Sequence, residues 1–107
     1  SIGNLIFTVS MEGFLVLVDK RNGDVIRSTD IFKKFSSKKR KKIQPIGFIV
    51  GLDKVYLTTS NGRLLVIDIM SGQTTSIFKI DDKKISRPFV LNQNLFIIEK
   101  NSIIKLD

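Results

Sequence analysis

Hydrophobic residues occur along this chain in short blocks separated by small polar or glycine-containing turns. The blocks are rich in Val, Ile, Leu and Phe, and none sustains the three-and-four-residue apolar spacing of an amphipathic helix. This pattern predicts β-strands throughout. The ten predicted strands are Leu5–Val9, Phe14–Val18, Val25–Thr29, Ile46–Val50, Val55–Ser60, Leu64–Ile67, Thr75–Ile80, Pro88–Leu91, Leu95–Ile98 and Ile103–Leu106.

One block recurs three times, as a strand, a small turn and a second strand that ends in Asp. The copies are Asn4–Ile26, Lys54–Thr75 and Asn94–Asp107. Their closing residues, Asp19, Asp68 and Asp107, are 49 and 39 residues apart. Such self-similarity indicates an array of repeats of roughly 40 residues, which is the size of a propeller blade.

The two spacings differ by the length of a basic stretch, Lys33–Lys42, which we interpret as an insertion in a regular array. The chain then divides into a blade part at 1–32, the basic insertion at 33–42, a full blade at 43–80 and a second blade part at 85–107. The array predicts a single unit, with one repeat complete and two incomplete.

Two of the predicted strands, Phe14–Val18 and Leu64–Ile67, are almost continuously apolar. A strand with one face in water alternates apolar and polar residues, so these strands must be covered on both faces. Stacked sheets provide that cover. The predicted fold class is therefore all-β, with antiparallel four-stranded propeller blades forming a partial propeller of about two and a half blades.

Turn chemistry supports the hairpins. The pair Asn61-Gly62 between two apolar strands predicts a type I′ turn, which needs φ above zero at both residues, and Met11–Gly13 is expected to do the same with one extra residue. An Asp at a strand end can accept bonds from the amides of the next loop, and a Gly closes that loop. The predicted structural turn residues are Asp19, Gly23, Asn61, Gly62, Asp68 and Gly72.

The stretch Val55–Gly72 resembles the repeat of pyrroloquinoline-quinone-like propellers: strand, small polar residue and Gly, strand ending in Asp, then Gly. In that family a Trp commonly stands four positions after the Gly and docks on the adjacent blade. Here those positions hold Arg27 and Ser76. The resemblance covers nearly the whole chain except the basic insertion.

Within this family, the segment Ile85–Leu91 and the strand at Leu106-Asp107 are most similar to the C-terminal part of the scaffold lipoprotein of the outer-membrane β-barrel assembly machinery. The resemblance implies a non-catalytic scaffold at the periplasmic face of the outer membrane. Its expected partners are proteins of that machinery, and no cofactor is expected.

The amino-acid composition excludes several kinds of functional site. The chain has no His, Cys or Trp, which excludes histidine bases, thiolate sites and the Trp and disulfide with which quinone dehydrogenases grip their cofactor. A fragment of a quinone-dependent dehydrogenase, with its catalytic residues elsewhere, is the alternative within the same family. No metal site is expected, because the loop after Asp19 offers basic residues where calcium needs oxygen ligands.

Of the net charge of +8, the segment Lys33–Lys42 supplies +7, from seven basic residues and no acidic one. Outside it the chain has 11 basic and 10 acidic residues. The segment is either a solvated loop or a contact for an anionic polymer or membrane surface; nucleic acid is disfavoured, because only Phe35 interleaves with the charges. The candidate contact residues are Lys33, Lys34, Lys38, Lys39, Arg40, Lys41 and Lys42.

A partial propeller does not close into a ring, so each of its two terminal sheets is predicted to have one face without a covering sheet. We expect Leu15, Leu17, Ile97 and Ile103 to lie on those outer faces. Contiguous apolar faces and open strand edges favour association, so the isolated chain is predicted to form a homo-oligomer.

Overall fold

A computed structural model describes residues 4–81, 85–99 and 102–106 of the chain. These residues form ten strands and one short helix. The strands are β1 (Leu5–Val9), β2 (Phe14–Asp19), β3 (Val25–Asp30), β4 (Pro45–Val50), β5 (Lys54–Thr59), β6 (Arg63–Asp68), β7 (Thr74–Lys79), β8 (Phe89–Leu91), β9 (Asn94–Glu99) and β10 (Ser102–Lys105). The helix is α1 (Ser37–Arg40). All ten predicted strands are present, with ends that differ by at most one residue.

The strands form three antiparallel sheets in chain order. Sheet 1 has the order β1-β2-β3, sheet 2 the order β4-β5-β6-β7, and sheet 3 the order β10-β9-β8. Each strand pairs with its neighbour in sequence, as expected for short turns between apolar blocks. The all-β class is confirmed.

The Asn61-Gly62 hairpin differs from the prediction. Gly62 has φ of 77°, but Asn61 is not among the residues with positive φ. Gly62 N donates to Thr59 O at 3.1 Å, and the connection between β5 and β6 contains three residues, not two. Three-residue hairpins of this kind combine a turn with a Gly in the left-handed region, which allows Asn61 to keep negative φ. The two-residue type I′ prediction was therefore wrong here.

The hairpin between β1 and β2 has the same construction. Gly13 N donates to Ser10 O at 3.1 Å and Gly13 has φ of 94°, matching Gly62. A Cβ at Gly13 would collide with the Phe32 ring, so this position requires glycine for both conformation and space. The three-residue turn predicted at Met11–Gly13 is therefore present, and the hairpin at Asn61-Gly62 has the same length and geometry.

A turn with two left-handed residues occurs elsewhere. Asn92 (φ 52°) and Gln93 (φ 66°) join β8 to β9, and Leu91 pairs directly with Asn94. This is the backbone of a two-residue I′ hairpin. The sequence prediction missed it because Gln is an unusual residue in that conformation.

The main core lies between sheets 1 and 2. Buried side chains from both sheets and from the connections beside them pack together there. They are Phe7, Leu15, Ile31, Phe32, Ile43, Val55, Leu57, Leu65, Ile67 and Ile69. The opposite side of sheet 2 faces sheet 3, where Ile85, Leu95 and Ile97 are buried. Sheet 2 is therefore covered on both faces, as its continuous apolar strands require.

The predicted outer faces need correction. Leu15 is 2% and Ile97 0% exposed, because both point toward sheet 2, and Leu17 packs against the main core. Of the four residues predicted, only Ile103 lies outward, at 66% exposure. The prediction chose the wrong face of the strand. Successive side chains of a strand face opposite sides, and the repeat alone does not say which side is covered.

Candidate functional site

The segment predicted to contact anions, Lys33–Lys42, lies in the connection between β3 of sheet 1 and β4 of sheet 2. This connection is anchored to the core. Phe35 packs on the core and meets the Phe32 ring edge to face, with centroids 5.6 Å apart. Ser36 caps α1 by accepting a bond from Lys39 N at 3.3 Å. Phe35 and Ser36 thus give the segment a defined shape, which the prediction of a solvated loop did not include.

Arg40 ties the end of α1 back to the end of β3. Its guanidinium donates to both carboxylate oxygens of Asp30, at 2.7 and 2.9 Å, and reaches Glu12 O at 3.4 Å. The hydrogen bonds from Arg40 hold the pKa of Asp30 below its ordinary value. Arg40, one of the predicted anion contacts, is therefore paired with Asp30 and joins α1 to β3.

The remaining lysines of the segment lie on its surface. Lys33 Nζ donates to Gln73 Oε1 at 2.5 Å, next to the start of β7. The other five are exposed: Lys34, Lys38, Lys39, Lys41 and Lys42. These five lysines belong to α1 or lie within three residues of it, and we call them together the lysine surface. A cavity of about 390 Å³ beside it is lined by Met11, Glu12, Ser37 and Lys41, among others.

Asp19 is the last residue of β2, and its side chain holds the turn that follows. Asp19 Oδ1 accepts from Arg21 N at 2.9 Å, and its carboxylate also pairs with the Arg21 guanidinium, which lowers the pKa of Asp19. Gly23 N donates to Asp19 O at 2.7 Å. The carboxylate of Asp19 is thereby committed to the loop that follows β2.

The second copy repeats this arrangement. Asp68 Oδ2 accepts from Ser71 N at 3.0 Å, and this bond lowers the pKa of Asp68. Gly72 N donates to Asp68 O at 2.7 Å. The third copy's Asp107 lies outside the described residues. Within the described part of the chain, no three acidic residues cluster closely enough to hold a metal ion.

Sequence reasoning missed the role of Arg27. Its guanidinium donates to Ile69 O at 2.7 Å and to Met70 O at 2.9 Å, so it joins β3 of sheet 1 to the loop between β6 and β7. Nearby, Thr74 Oγ1 donates to Ile31 O at 2.9 Å. The signal in the sequence is the position of Arg27, four residues after Gly23, where the repeat that the chain resembles commonly has a Trp.

A groove of about 480 Å³ opens between sheets 2 and 3. Tyr56, Leu64, Val66 and Phe78 line it from sheet 2, and Leu95, Ile104 and Leu106 from the side of sheet 3. Lys79, Ile80 and Lys105 complete its lining. We call this the β10 groove, because Ile104 and Lys105 of β10 line it. No sequence pattern predicts this groove, because its lining residues come from separate segments of the chain.

Among the described residues, no helix is long and apolar enough to cross a membrane. No protein-family model matches the chain, and no curated protein matches it by sequence.

Solved structures do match. The chain is similar to the β-propeller domain of Cps50 (Swd1) from Myceliophteria thermophila, with 17% identity and a TM-score of 0.69 over 88% of this chain. It is similar to BamB from Moraxella catarrhalis, with 12% identity and a TM-score of 0.64 over 98%. It also resembles apo AztD from Citrobacter koseri, with 19% identity and a TM-score of 0.59 over 78%.

These likenesses show the fold. The three antiparallel sheets are a partial set of propeller blades, as the sequence predicted. The chain spans 31%, 30% and 22% of the lengths of Cps50, BamB and AztD.

Proposed function

We propose that this chain is part of a non-catalytic protein-interaction scaffold that acts, like BamB, in the assembly of outer-membrane β-barrel proteins. The observation that carries the proposal is the likeness to BamB over 98% of the chain, together with the resemblance of its repeats to pyrroloquinoline-quinone-like propellers. The proposed location is the periplasmic face of the outer membrane.

The use of the carboxylates supports a scaffold over an enzyme. Asp19 and Asp68 each hold a turn, and Asp30 holds Arg40. Hydrogen bonds lower the pKa of all three, which keeps them ionised at neutral pH and makes them poor general acids. These groups therefore serve the architecture, and recognition is assigned to exposed loops and strand edges.

The test is direct binding between the purified chain and the purified barrel-assembly complex. We expect saturable binding with a Kd of about 1 μM or tighter, equivalent to roughly 8 kcal/mol. The control is a variant with Lys38, Lys39, Lys41 and Lys42 all changed to Gln, which removes non-specific charge attraction and should bind equally well. Absence of binding by the unaltered chain would overturn the proposed role in barrel assembly.

The lysine surface favours a second candidate function, the binding of an anionic polymer or membrane. Its five ammonium groups are exposed on a segment that Phe35 and Arg40 anchor, and each cation near an anionic membrane adds about 1 kcal/mol of attraction. Co-sedimentation with vesicles of anionic and of neutral lipid tests it. Binding should require anionic lipid, fall steeply with salt and disappear in the four-Gln variant.

A further inference from the structure

A small cavity lies between sheets 2 and 3, beside the turns that join β4 to β5 and β8 to β9. It measures about 220 Å³, and its apolar walls are Ile49, Val50, Tyr56, Val90 and Leu95. The strands that flank β5 and β9 on both sides are present in their sheets. The cavity, which we call the β4–β8 cavity, is therefore part of the interface between two neighbouring sheets.

Val90 shows that this cavity is open to solvent. Val90 pairs with Leu95 across β8 and β9, so the two side chains lie on the same face of sheet 3. Both line the cavity together with residues of sheet 2. Leu95 is 7% exposed, but Val90 is 55% exposed. An apolar side chain on a packed face thus remains in contact with water, and a bound apolar molecule would cover it.

Tyr56 and Gly51 indicate the kind of molecule that fits. A Cβ added at Gly51 would lie 3.6 Å from Tyr56 Cε2, so the glycine leaves that edge of the ring uncovered. Aromatic rings pack favourably edge to face or in offset stacks. Among the described residues that line the cavity none carries a charge, and a charge buried there would be costly. An apolar cavity of about 150 Å³ holds benzene, so this cavity suits one neutral aromatic ring with a small substituent.

Gln93 brings a polar group to the same place. Asn92 and Gln93 both have positive φ, at 52° and 66°, and glycine is the residue that the second position of such a turn favours. Gln93 lines the cavity, whereas Asn92 does not. Asn94, the other amide of the lining, donates from Nδ2 to Asn92 O at 3.3 Å. The chain thus keeps a glutamine in a strained conformation where its carboxamide can bond to a ligand.

We propose that the β4–β8 cavity binds a small neutral aromatic molecule that carries one hydroxyl or carbonyl group. The ring packs against Tyr56 and Val90, and the polar group bonds to the Gln93 carboxamide. A binding site of this kind is mostly apolar, with a few polar groups that fix the orientation of the ligand. The inference goes beyond the proposed scaffold function and does not depend on it.

The probe is p-cresol, titrated into the full 107-residue chain while the methyl NMR signals of Ile49, Val90 and Leu95 are followed. We expect saturable shifts of these signals with a Kd of about 1 mM, as for a ligand this small. The saturated analogue of p-cresol should bind about threefold more weakly or worse, because it has no aromatic ring. The anion p-toluate should bind at this site about tenfold more weakly, because its charge would be buried.

Two glycine variants test the polar contact. Gln93→Gly and Asn92→Gly each replace a left-handed residue by glycine, so both should keep or raise the melting temperature. Only Gln93→Gly should weaken the binding of p-cresol, by about threefold or more, because it removes a hydrogen-bonding group from the cavity.

Two phenylalanine variants locate the ring. Val90 and Leu91 are adjacent in β8, each is 55% exposed, and their side chains lie on opposite faces of the strand. Val90→Phe fills the cavity and should weaken binding by about tenfold or more. Leu91→Phe should leave affinity within about twofold. Circular dichroism of both variants checks that the sheets are retained.

Four outcomes overturn the proposal: no saturable shifts, equal weakening within either pair of variants, equal affinity for the saturated analogue, or shifts of the Val90 signal that depend on chain concentration without any probe. The last would make a second copy of the chain the occupant. The scaffold function is judged by binding to the barrel-assembly complex, so either result can fail while the other stands.

Discussion

The two spaces on either side of sheet 2 are built differently. Toward sheet 1, the main core is closed by buried side chains, by Arg27 on two carbonyls and by Thr74 on Ile31 O. Toward sheet 3, the buried set is smaller and the space opens into the β10 groove. Sheet 1 includes the outer strand β3, whereas in sheet 3 the described residues include no strand beyond β10. The outer strand of sheet 1 and the connection that follows it close the wedge toward sheet 2.

The largest expected effect compares one truncation on each side. Leu65→Ala removes a fully buried side chain from the closed side and should cost about 2 to 5 kcal/mol of unfolding free energy. Ile104→Ala trims a half-buried residue of the open groove and should cost less than about 1.5 kcal/mol. Urea denaturation of both variants measures the difference. Equal losses would mean that the two sides of sheet 2 are packed alike.

A smaller loss of unfolding free energy is expected when the polar contact of Arg27 between sheets 1 and 2 is removed. Arg27→Ala leaves the carbonyls of Ile69 and Met70 without these donors and should cost about 1 to 3 kcal/mol. The control, Arg21→Ala, removes an arginine that is 68% exposed and pairs with Asp19 of its own loop, so a smaller loss than that of Arg27→Ala is expected. Thermal unfolding of the two variants decides. If Arg21→Ala proved the more harmful, Arg27 would not dock the sheets.

The smallest loss of stability is expected for the ion pair between Asp30 and Arg40, which lies where the connection leaves β3. The folded-state pKa of Asp30 is lowered by Arg40, so this pair stabilises the fold above the ordinary aspartate pKa of about 3.9, and the contribution is lost as pH falls through the lowered value. Asp30→Asn should cost under about 1 kcal/mol at pH 7, because the pair is partly exposed.

The gap in melting temperature between the unaltered chain and Asp30→Asn should close as the pH is lowered toward 2. Arg40→Gln should produce the same loss at pH 7, and the double variant should add little to it. Additive losses in the double variant would show that the two side chains stabilise the fold independently of one another.

Much of the fold could be predicted because the governing interactions are local. Apolar blocks fix strands, and the spacing of Asp19 and Asp68 from their glycines fixes loops that reappear as hydrogen bonds within a few residues. Asn61 marked its turn but not the type of turn. Gly62 alone adopts the left-handed conformation. The Asn-Gly pair in the sequence does not distinguish this turn from one in which both residues adopt it.

The candidate sites were less predictable. The basic run was visible, but the separation of Arg40 from its lysine neighbours depends on Asp30, ten residues earlier, being at the end of β3. The β10 groove involves side chains from sheets 2 and 3 and carries no contiguous sequence signature.

By itself, the sequence determined the strand order, the positions of the turns and the repeat, because each depends on side-chain period and backbone preference over a few residues. The tertiary structure alone decided which face of a terminal strand is buried. Leu15 and Ile103 are equally apolar in sequence, yet one is enclosed and the other is exposed. The reason is that burial depends on which sheet stands opposite, and that is fixed by packing between blocks distant in the chain.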